Sequence, residues 1–463
     1  MKYLVSFFIT ILFFSCNTAE TKSGSTYFGG EIVNPRSKFV LFLKDDKVID
    51  TLFLNTENRF LKKYENFKEG LYTFKHGLEF QYVYLEPADS VLVRLNSWDF
   101  DESLVYSGKG ASKNDFLINL FLQNEKEEKA MYSYFNLDEP KFEAKLDSLA
   151  NKRISIYNSF TSNELLVSEE FIDLIDIAIY YPLYRLKEVY PYYYKKAHQL
   201  TNLPSISNDF YSFRAEISLN EEQFLSFYPY QNYVVSYLYN IANQLKESNT
   251  NKDDLTINVL NVIIKNIESE EIKNTLLKRI IINDFLKSEN TCTINNEKLA
   301  IFLKHCTNKE FVNQVKNLVN DSKYVENHQQ LPNFNIVNYD NIGTDIHTII
   351  KNKKSVIYFW STEFMSTDYL VSRVRFLEKK YPKIQFIGIQ MQPAYLNIHN
   401  EPKLKNLNSS KQYKLTSNSY ANNFLTSHYP RIIIIDDKKL VMNGFTYLDS
   451  KKLGQELNKI QKK

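Results

Sequence analysis

Between Ala111 and Ile342 the chain contains no glycine. Tight hairpin turns need backbone with positive φ, which glycine adopts at least cost. A stretch this long without glycine is hard to build from hairpins and natural for helices. Six of the 11 glycines lie from Gly29 to Gly110, and four more follow the gap. The distribution divides the 463 residues into three parts, the number that roughly 150 residues per domain suggests. The expected fold class is multidomain α+β: a β-rich domain over 26–110, an all-helical domain over 111–325 and an α/β/α domain over 326–463.

In the first part, Lys38 to Leu43, Thr51 to Leu54, Leu71 to Phe74, Gln81 to Leu85 and Ser90 to Leu95 are short runs of β-branched and aromatic residues. Turn formers such as Asp45-Asp46, Gly70, Gly77 and Pro87 separate them. Val91, Val93 and Leu95 alternate with Leu92 and Arg94, the period of a half-buried strand. An antiparallel sandwich or barrel is expected. In the middle part Phe171, Leu174, Ile175 and Ala178 recur at helical spacing, as do Val259, Ile263 and Ile267. Pro182, Pro191, Pro204 and Pro229 read as breakers between helices. The dense tyrosines, among them Tyr180, Tyr181, Tyr184 and Tyr190, fit helix interfaces, where the ring packs and the hydroxyl stays wet. A sugar-binding platform is the alternative. The last part alternates strands (Ser355 to Trp360, Lys383 to Ile389, Arg431 to Asp436, Lys439 to Phe445) with helices (Thr367 to Tyr381, Tyr420 to Thr426, Asp449 to Lys462). Such alternation implies a sheet with helices on its faces.

The N-terminus reads as an address. Lys2 precedes an apolar run from Tyr3 to Phe14, a positive n-region followed by an h-region too short to span a bilayer. Its end, Leu12-Phe13-Phe14-Ser15-Cys16, resembles the lipobox of bacterial lipoproteins. The resemblance implies a signal peptide over 1–15, lipidation of Cys16 and a flexible tether over 16–25. It places the chain in the cell envelope, anchored by lipid at the outer membrane and facing the periplasm. The formal net charge is +3 with signs interspersed, which leaves no electrostatic footprint for nucleic acid.

Three further segments act together. Leu331-Pro332-Asn333-Phe334, the strand Val356-Ile357-Tyr358-Phe359-Trp360-Ser361-Thr362, and Tyr429-Pro430-Arg431 ahead of Ile432 to Asp436 resemble TlpA-like envelope thioredoxins. They stand where that family has its opening loop, its tryptophan-bearing strand and its cis-proline loop. In the family, Trp-Cys-x-x-Cys follows the strand. Counted from Trp360 the cysteines would stand at 364 and 367. This chain has Glu363-Phe364-Met365-Ser366-Thr367 there, and no cysteine after Cys306. Thiol exchange needs a thiolate, whose pKa a helix N-terminus lowers. Phe364 has no nucleophile, and the hydroxyls of Ser366 and Thr367 cannot form a disulfide. The resemblance thus implies a thioredoxin-like fold without redox chemistry. It also implies a peptide site, because in the family the backbone beside the cis-proline pairs with an extended peptide by strand addition. Trp360, Phe364, Met365, Tyr429 and Pro430 would line it. Upstream, Tyr27 to Ile32, Leu85-Glu86-Pro87-Ala88-Asp89-Ser90 and Tyr106 to Asn114 resemble an uncharacterised β-domain that precedes such thioredoxin domains, with Ala88 where its members usually carry glycine.

Cys292 and Cys306 flank a predicted helix, Asn296 to Lys304. A structural disulfide, free thiols or a redox pair are all open to them in an oxidising envelope. The seven histidines show no metal-ligand spacing, and Gly108-Lys109-Gly110 lacks the Gly-Lys-Ser/Thr of a phosphate loop. No cofactor, metal or catalytic residue is expected. The expected function is non-enzymatic: a membrane-anchored lipoprotein that binds an envelope protein or peptide. The alternatives are a thiol–disulfide oxidoreductase using Cys292 and Cys306, and a glycan- or nutrient-binding lipoprotein using the tyrosine-rich middle part.

Overall fold

The structure, a computed structural model, describes residues 24–162, 167–247, 254–287, 295–361, 365–391, 404–450 and 452–462. The signal peptide, Cys16, most of the tether, Cys292 and Phe364 lie outside the described residues.

Eight strands come first: β1 (Thr26–Val33), β2 (Phe39–Lys44), β3 (Lys47–Phe53), β4 (Arg59–Tyr64), β5 (Gly70–His76), β6 (Glu79–Leu85), β7 (Ser90–Asn96) and β8 (Val105–Lys109). They form two four-stranded sheets, in the orders β4-β1-β7-β8 and β3-β2-β5-β6. The alternation in β7 buries Val91, Val93 and Leu95, which share one core with Phe42, Phe74 and Val83 of the other sheet. Phe28 stacks on Phe42 across that core at 5.0 Å between ring centroids. The result is a sandwich. Asp45 and Asp46 take φ of 49° and 59° between β2 and β3, so this hairpin turns without glycine. The expected all-antiparallel pairing needs one correction: β1 runs parallel to β7. A parallel pair requires a long crossover, and here the crossover is long enough to build the whole opposing sheet. Strand β4 lies at a sheet edge, where its exposed lysines face water.

Among the described residues eight α-helices follow: α1 (Ala111–Tyr134), α2 (Glu139–Thr161), α3 (Glu169–Ala197), α4 (Tyr228–Glu247), α5 (Leu255–Asn266), α6 (Glu270–Lys287), α7 (Asn296–His305) and α8 (Lys309–Tyr324). In α3, Ser168 caps the start by accepting from the Phe171 N–H. Glu169 and Glu170 in its first turn and Lys195 and Lys196 in its last complement the helix dipole. The breaker reading of the prolines is corrected for Pro182 and Pro191, while Pro204 does lie between helices. Pro182 and Pro191 lie inside α3, and Pro229 lies in the first turn of α4. Proline removes an N–H and crowds the carbonyls of the preceding turn. In that turn, buried Arg153 donates to the Ile179 carbonyl at 2.9 Å, next to the Ala178 carbonyl whose helical donor Pro182 removes. The tyrosines are largely interior. Tyr190 stacks on Phe142 at 4.2 Å and donates to the Leu137 carbonyl, and Tyr230 and Tyr233 are buried. The helical core is shared: Leu71, Tyr82 and Tyr84 enter it from the sandwich, and Phe445 from the C-terminal part.

The C-terminal part comprises β9 (Asn335–Asn338), β10 (Gly343–Asp345), the short α9 (Ile346–Ile349), β11 (Ser355–Trp360), α10 (Thr367–Lys380), β12 (Gln385–Gln390), β13 (Gln412–Leu415), β14 (Arg431–Ile435), β15 (Val441–Thr446) and α11 (Leu453–Lys462). Its seven strands form one sheet, ordered β10-β9-β13-β12-β11-β14-β15. Strand β11 pairs parallel with β12 and antiparallel with β14. A parallel β11–α10–β12 unit and an antiparallel β14–β15–α11 unit thus share a sheet, a thioredoxin-like arrangement. Every residue of β11 is buried, as in a strand covered on both faces. Ile357 and Phe359 pack with Phe334 and Phe424 on one side. Val356, Tyr358 and Trp360 pack with α10 and α11 on the other.

Candidate functional site

The expected site lies where β11 gives way to α10. Ser366 caps the helix, its Oγ accepting from the Tyr369 N–H at 3.2 Å. Asp368 adds negative charge to the first turn. Leu370, Val374 and Leu377 then recur on the face that packs against the sheet. The Met365 N–H donates to the Ser361 carbonyl at 3.2 Å, and its side chain packs partly buried against the core that holds Trp360. Trp360 is itself 1% exposed. It is a wall behind the site and not part of its surface. The hydroxyl of Ser366 is engaged in capping, and Thr367 stands where the resemblance puts the second cysteine.

The other side of the expected site is the loop ahead of β14. Tyr429 is half-buried, and its ring packs on the helical core; burial pushes its phenol above the usual range. The loop is fastened to α8 chiefly by one carboxylate, with Asn317 and Asn320 donating to the Thr426 and Asn423 carbonyls at 3.3 and 3.4 Å. Asp321, buried, accepts from the Thr426 N–H at 2.9 Å and hydroxyl at 2.6 Å through Oδ1. Through Oδ2 it accepts from the Ser427 N–H at 2.8 Å and hydroxyl at 2.6 Å. Buried Arg431 donates Nη1 to the carbonyls of Asp321 and Phe424 at 2.9 and 2.8 Å. Its guanidinium lies 4.9 Å from the Phe424 ring and 5.3 Å from the Phe445 ring. Phe445 in turn meets Phe285 of α6 at 5.3 Å. A Cβ on Gly444 would stand 2.0 Å from the Val325 carbonyl oxygen, so this approach requires glycine. The structure therefore keeps Met365, Ser366 and Thr367 together at the head of α10, and commits Tyr429 to an internal interface. Asp321 escaped the sequence reading because its partners lie 105 and 106 residues away.

Cys306 follows α7 and is buried in the helical core, outside the C-terminal sheet. Burial pushes its thiol up, which disfavours the thiolate that exchange chemistry needs. Among the described residues no group of three or more His, Cys, Asp or Glu is placed to hold a metal ion. Among the same residues no helix is long and apolar enough to cross a membrane.

The motif around Ala88 is a clasp. Lys113 of α1 reaches Glu86 at 2.5 Å and Asp89 at 3.5 Å. Asn114 bonds both the N–H and the carbonyl of Tyr84, at 2.6 and 2.9 Å. These contacts tie the β6–β7 turn to the start of α1.

No protein-family model matches the chain, and no curated protein does. Solved structures match part of it. A candidate thiol-disulfide oxidoreductase from Bacteroides vulgatus is 20% identical, with 29% of this chain and 97% of that chain covered and a TM-score of 0.25. The thioredoxin domain of another thiol-disulfide oxidoreductase from Bacteroides vulgatus is 14% identical, covering 30% of this chain and 96% of that one, with a TM-score of 0.22. A thioredoxin-family thiol:disulfide interchange protein from Chlorobium tepidum is 14% identical, covering 29% and 98%, with a TM-score of 0.22.

Proposed function

We propose that this chain is a redox-inactive, thioredoxin-like lipoprotein, anchored through Cys16 in the bacterial envelope, that binds a protein or an extended peptide. One observation carries the reading: the head of α10 holds Met365, Ser366 and Thr367 on an intact sheet-and-helix frame, with no thiol among them. A frame kept without its reactive group is suited to recognition, since backbone pairing beside a sheet needs no side-chain chemistry. Because Tyr429 faces inward, the partner would meet Met365, Thr367, Pro430 and Tyr369, which is 40% exposed.

The test is a photoreactive amino acid placed at Tyr369 in intact cells. A discrete crosslinked partner is expected, absent when the same group replaces Lys47 on the sandwich. Identical adducts from both positions, or none from Tyr369, would count against the reading. In parallel, the purified chain should not reduce insulin with dithiothreitol as electron source. Turnover abolished by Cys306→Ser would instead favour the oxidoreductase alternative.

A further inference from the structure

The sheet β4-β1-β7-β8 gives one face to the sandwich core and the other to solvent. Side chains alternate between the faces along each strand, so the strand register sets the outward positions in rows. Lys63 and Lys109 share the first row, with Tyr27 and Ser90 between them. Leu61, Gly29 and Leu92 form the second, and Arg59, Glu31 and Arg94 the third. The middle row is apolar and bare: Leu61 is 66% exposed and Leu92 42%. A Cβ on Gly29 would stand 2.7 Å from Leu61 Cδ1, so Leu61 lies over the glycine, on the side toward Leu92. An apolar band thus runs between two basic rows. On this face Arg59, Lys63, Arg94 and Lys109 oppose a single acid, Glu31, which lies between the two arginines at 3.3 and 3.9 Å. Glu57 and Glu65, in the adjoining turns, reach Arg59 and Lys63. Exposed pairs of this kind are weak, and an anionic surface competes with them for the cations.

The chain also enters the sandwich at this face. A Cβ on Gly24 would stand 2.7 Å from the Ala88 Cβ, and Ser25 donates to Glu65 at 2.9 Å. Lys109 donates to the Ala88 carbonyl, so the entry point adjoins the row of Lys63 and Lys109. Cys16 stands eight residues before Gly24, at most about 26–29 Å away along extended chain. Four strands of this length make a face roughly 15 by 20 Å. An anchor at Cys16 would hold all of it within reach of a bilayer. The helices do not stand in the way, because Leu71, Tyr82 and Tyr84 of the opposite sheet are the ones that enter the helical core.

We infer that this face rests on the surface of an anionic phospholipid bilayer. The basic rows meet lipid phosphates, Leu61 and Leu92 sit among the headgroups, and the helices lie on the side away from the membrane. A lipid anchor alone leaves a protein free to tumble at the surface; a basic, partly apolar face beside it adds a second contact that orients the body. The inference rests on the lipoprotein reading for its anchor and not on the peptide-binding one. The test uses the mature chain, residues 16–463, with Cys16→Ala, so that no acyl group contributes. Cosedimentation is measured with vesicles of equal parts phosphatidylethanolamine and phosphatidylglycerol, and with phosphatidylcholine vesicles. Tighter binding to the anionic vesicles, released by added salt, is expected. Lys63→Ala with Arg94→Ala should weaken it about tenfold, and Leu61→Ser with Leu92→Ser by a similar factor. Lys47→Ala with Lys75→Ala, on the other sheet, should leave it unchanged. Equal binding to both vesicle types, or equal losses from the control pair, would overturn the inference. So would a dimer that Leu61→Ser with Leu92→Ser splits while vesicle binding persists, since the face would then be a contact between copies. Lipid labelling of Cys16 in cells tests the anchor separately. Labelling without vesicle binding refutes this orientation alone, and vesicle binding without labelling refutes the lipoprotein reading alone.

Discussion

At Ala88 the backbone takes φ of 66°, the left-handed region where a Cβ crowds the following carbonyl. Its neighbours hold it there. The Ala88 N–H donates to Thr26 Oγ1 at 3.1 Å, and Lys109 donates to its carbonyl at 3.0 Å. Glu86 and Asp89, on either side, are gripped by Lys113. Glycine would adopt this conformation without the crowding, at the cost of a freer unfolded chain. Ala88→Gly is therefore expected to stabilise the fold by about 0.5–1 kcal/mol. A urea midpoint that stays put or falls would sink that expectation.

Among the elements, α8 does more than its sequence announces. Four hydrogen bonds converge on Asp321, two of them from backbone N–H groups. Asp321→Ala takes the acceptor from those half-buried donors and should destabilise by about 1–3 kcal/mol. Hydrogen exchange should rise at Thr426 and Ser427 more than in β14. A uniform rise across the chain, or none, would mean the loop is held by something else. The strands with continuous apolar runs were legible beforehand: Ser355 to Trp360 matches β11, and Arg431 to Asp436 all but matches β14. Strand β4 was not legible, because Lys62 and Lys63 dilute its pattern on a sheet edge. Strand β13 was missed because it is four residues long. Pro182 misled because α3 continues through it from Glu169 to Ala197, its apolar face held by packing that no local pattern shows. Of the site, the positions 364 and 367 came from the family resemblance, counted from Trp360, and Phe364 lies outside the described residues. The clamp on Thr426 and Ser427 could not be read, since no local pattern links residues a hundred apart.

Taken whole, the molecule has three parts in sequence and joined cores in space. Tyr82 packs edge-on to Phe227 at 5.3 Å and its hydroxyl donates to the Ser226 carbonyl, so the sandwich leans on the helices. Phe445 enters the same helical core from the last sheet. In the proposed reading a lipid at Cys16 is what holds this body to a membrane. Cys16→Ala should move it to the soluble fraction or leave an unprocessed precursor. Unchanged membrane fractionation together with lipid labelling would refute the anchor.

The fastening of α8 also fixes an order of events in time. Asp321 receives its partners from residues made 105 and 106 positions later, and Asn327 meets Gly444 across 117. At about 5–20 residues per second, roughly 5–25 s of synthesis separate each half of these contacts from the other. Throughout that interval the middle of the chain holds an unclosed helical core and a carboxylate without its donors. A chain stopped shortly before Phe445 would thus betray its missing tail in the centre of the molecule, and a nascent chain is exposed there until its final strand arrives.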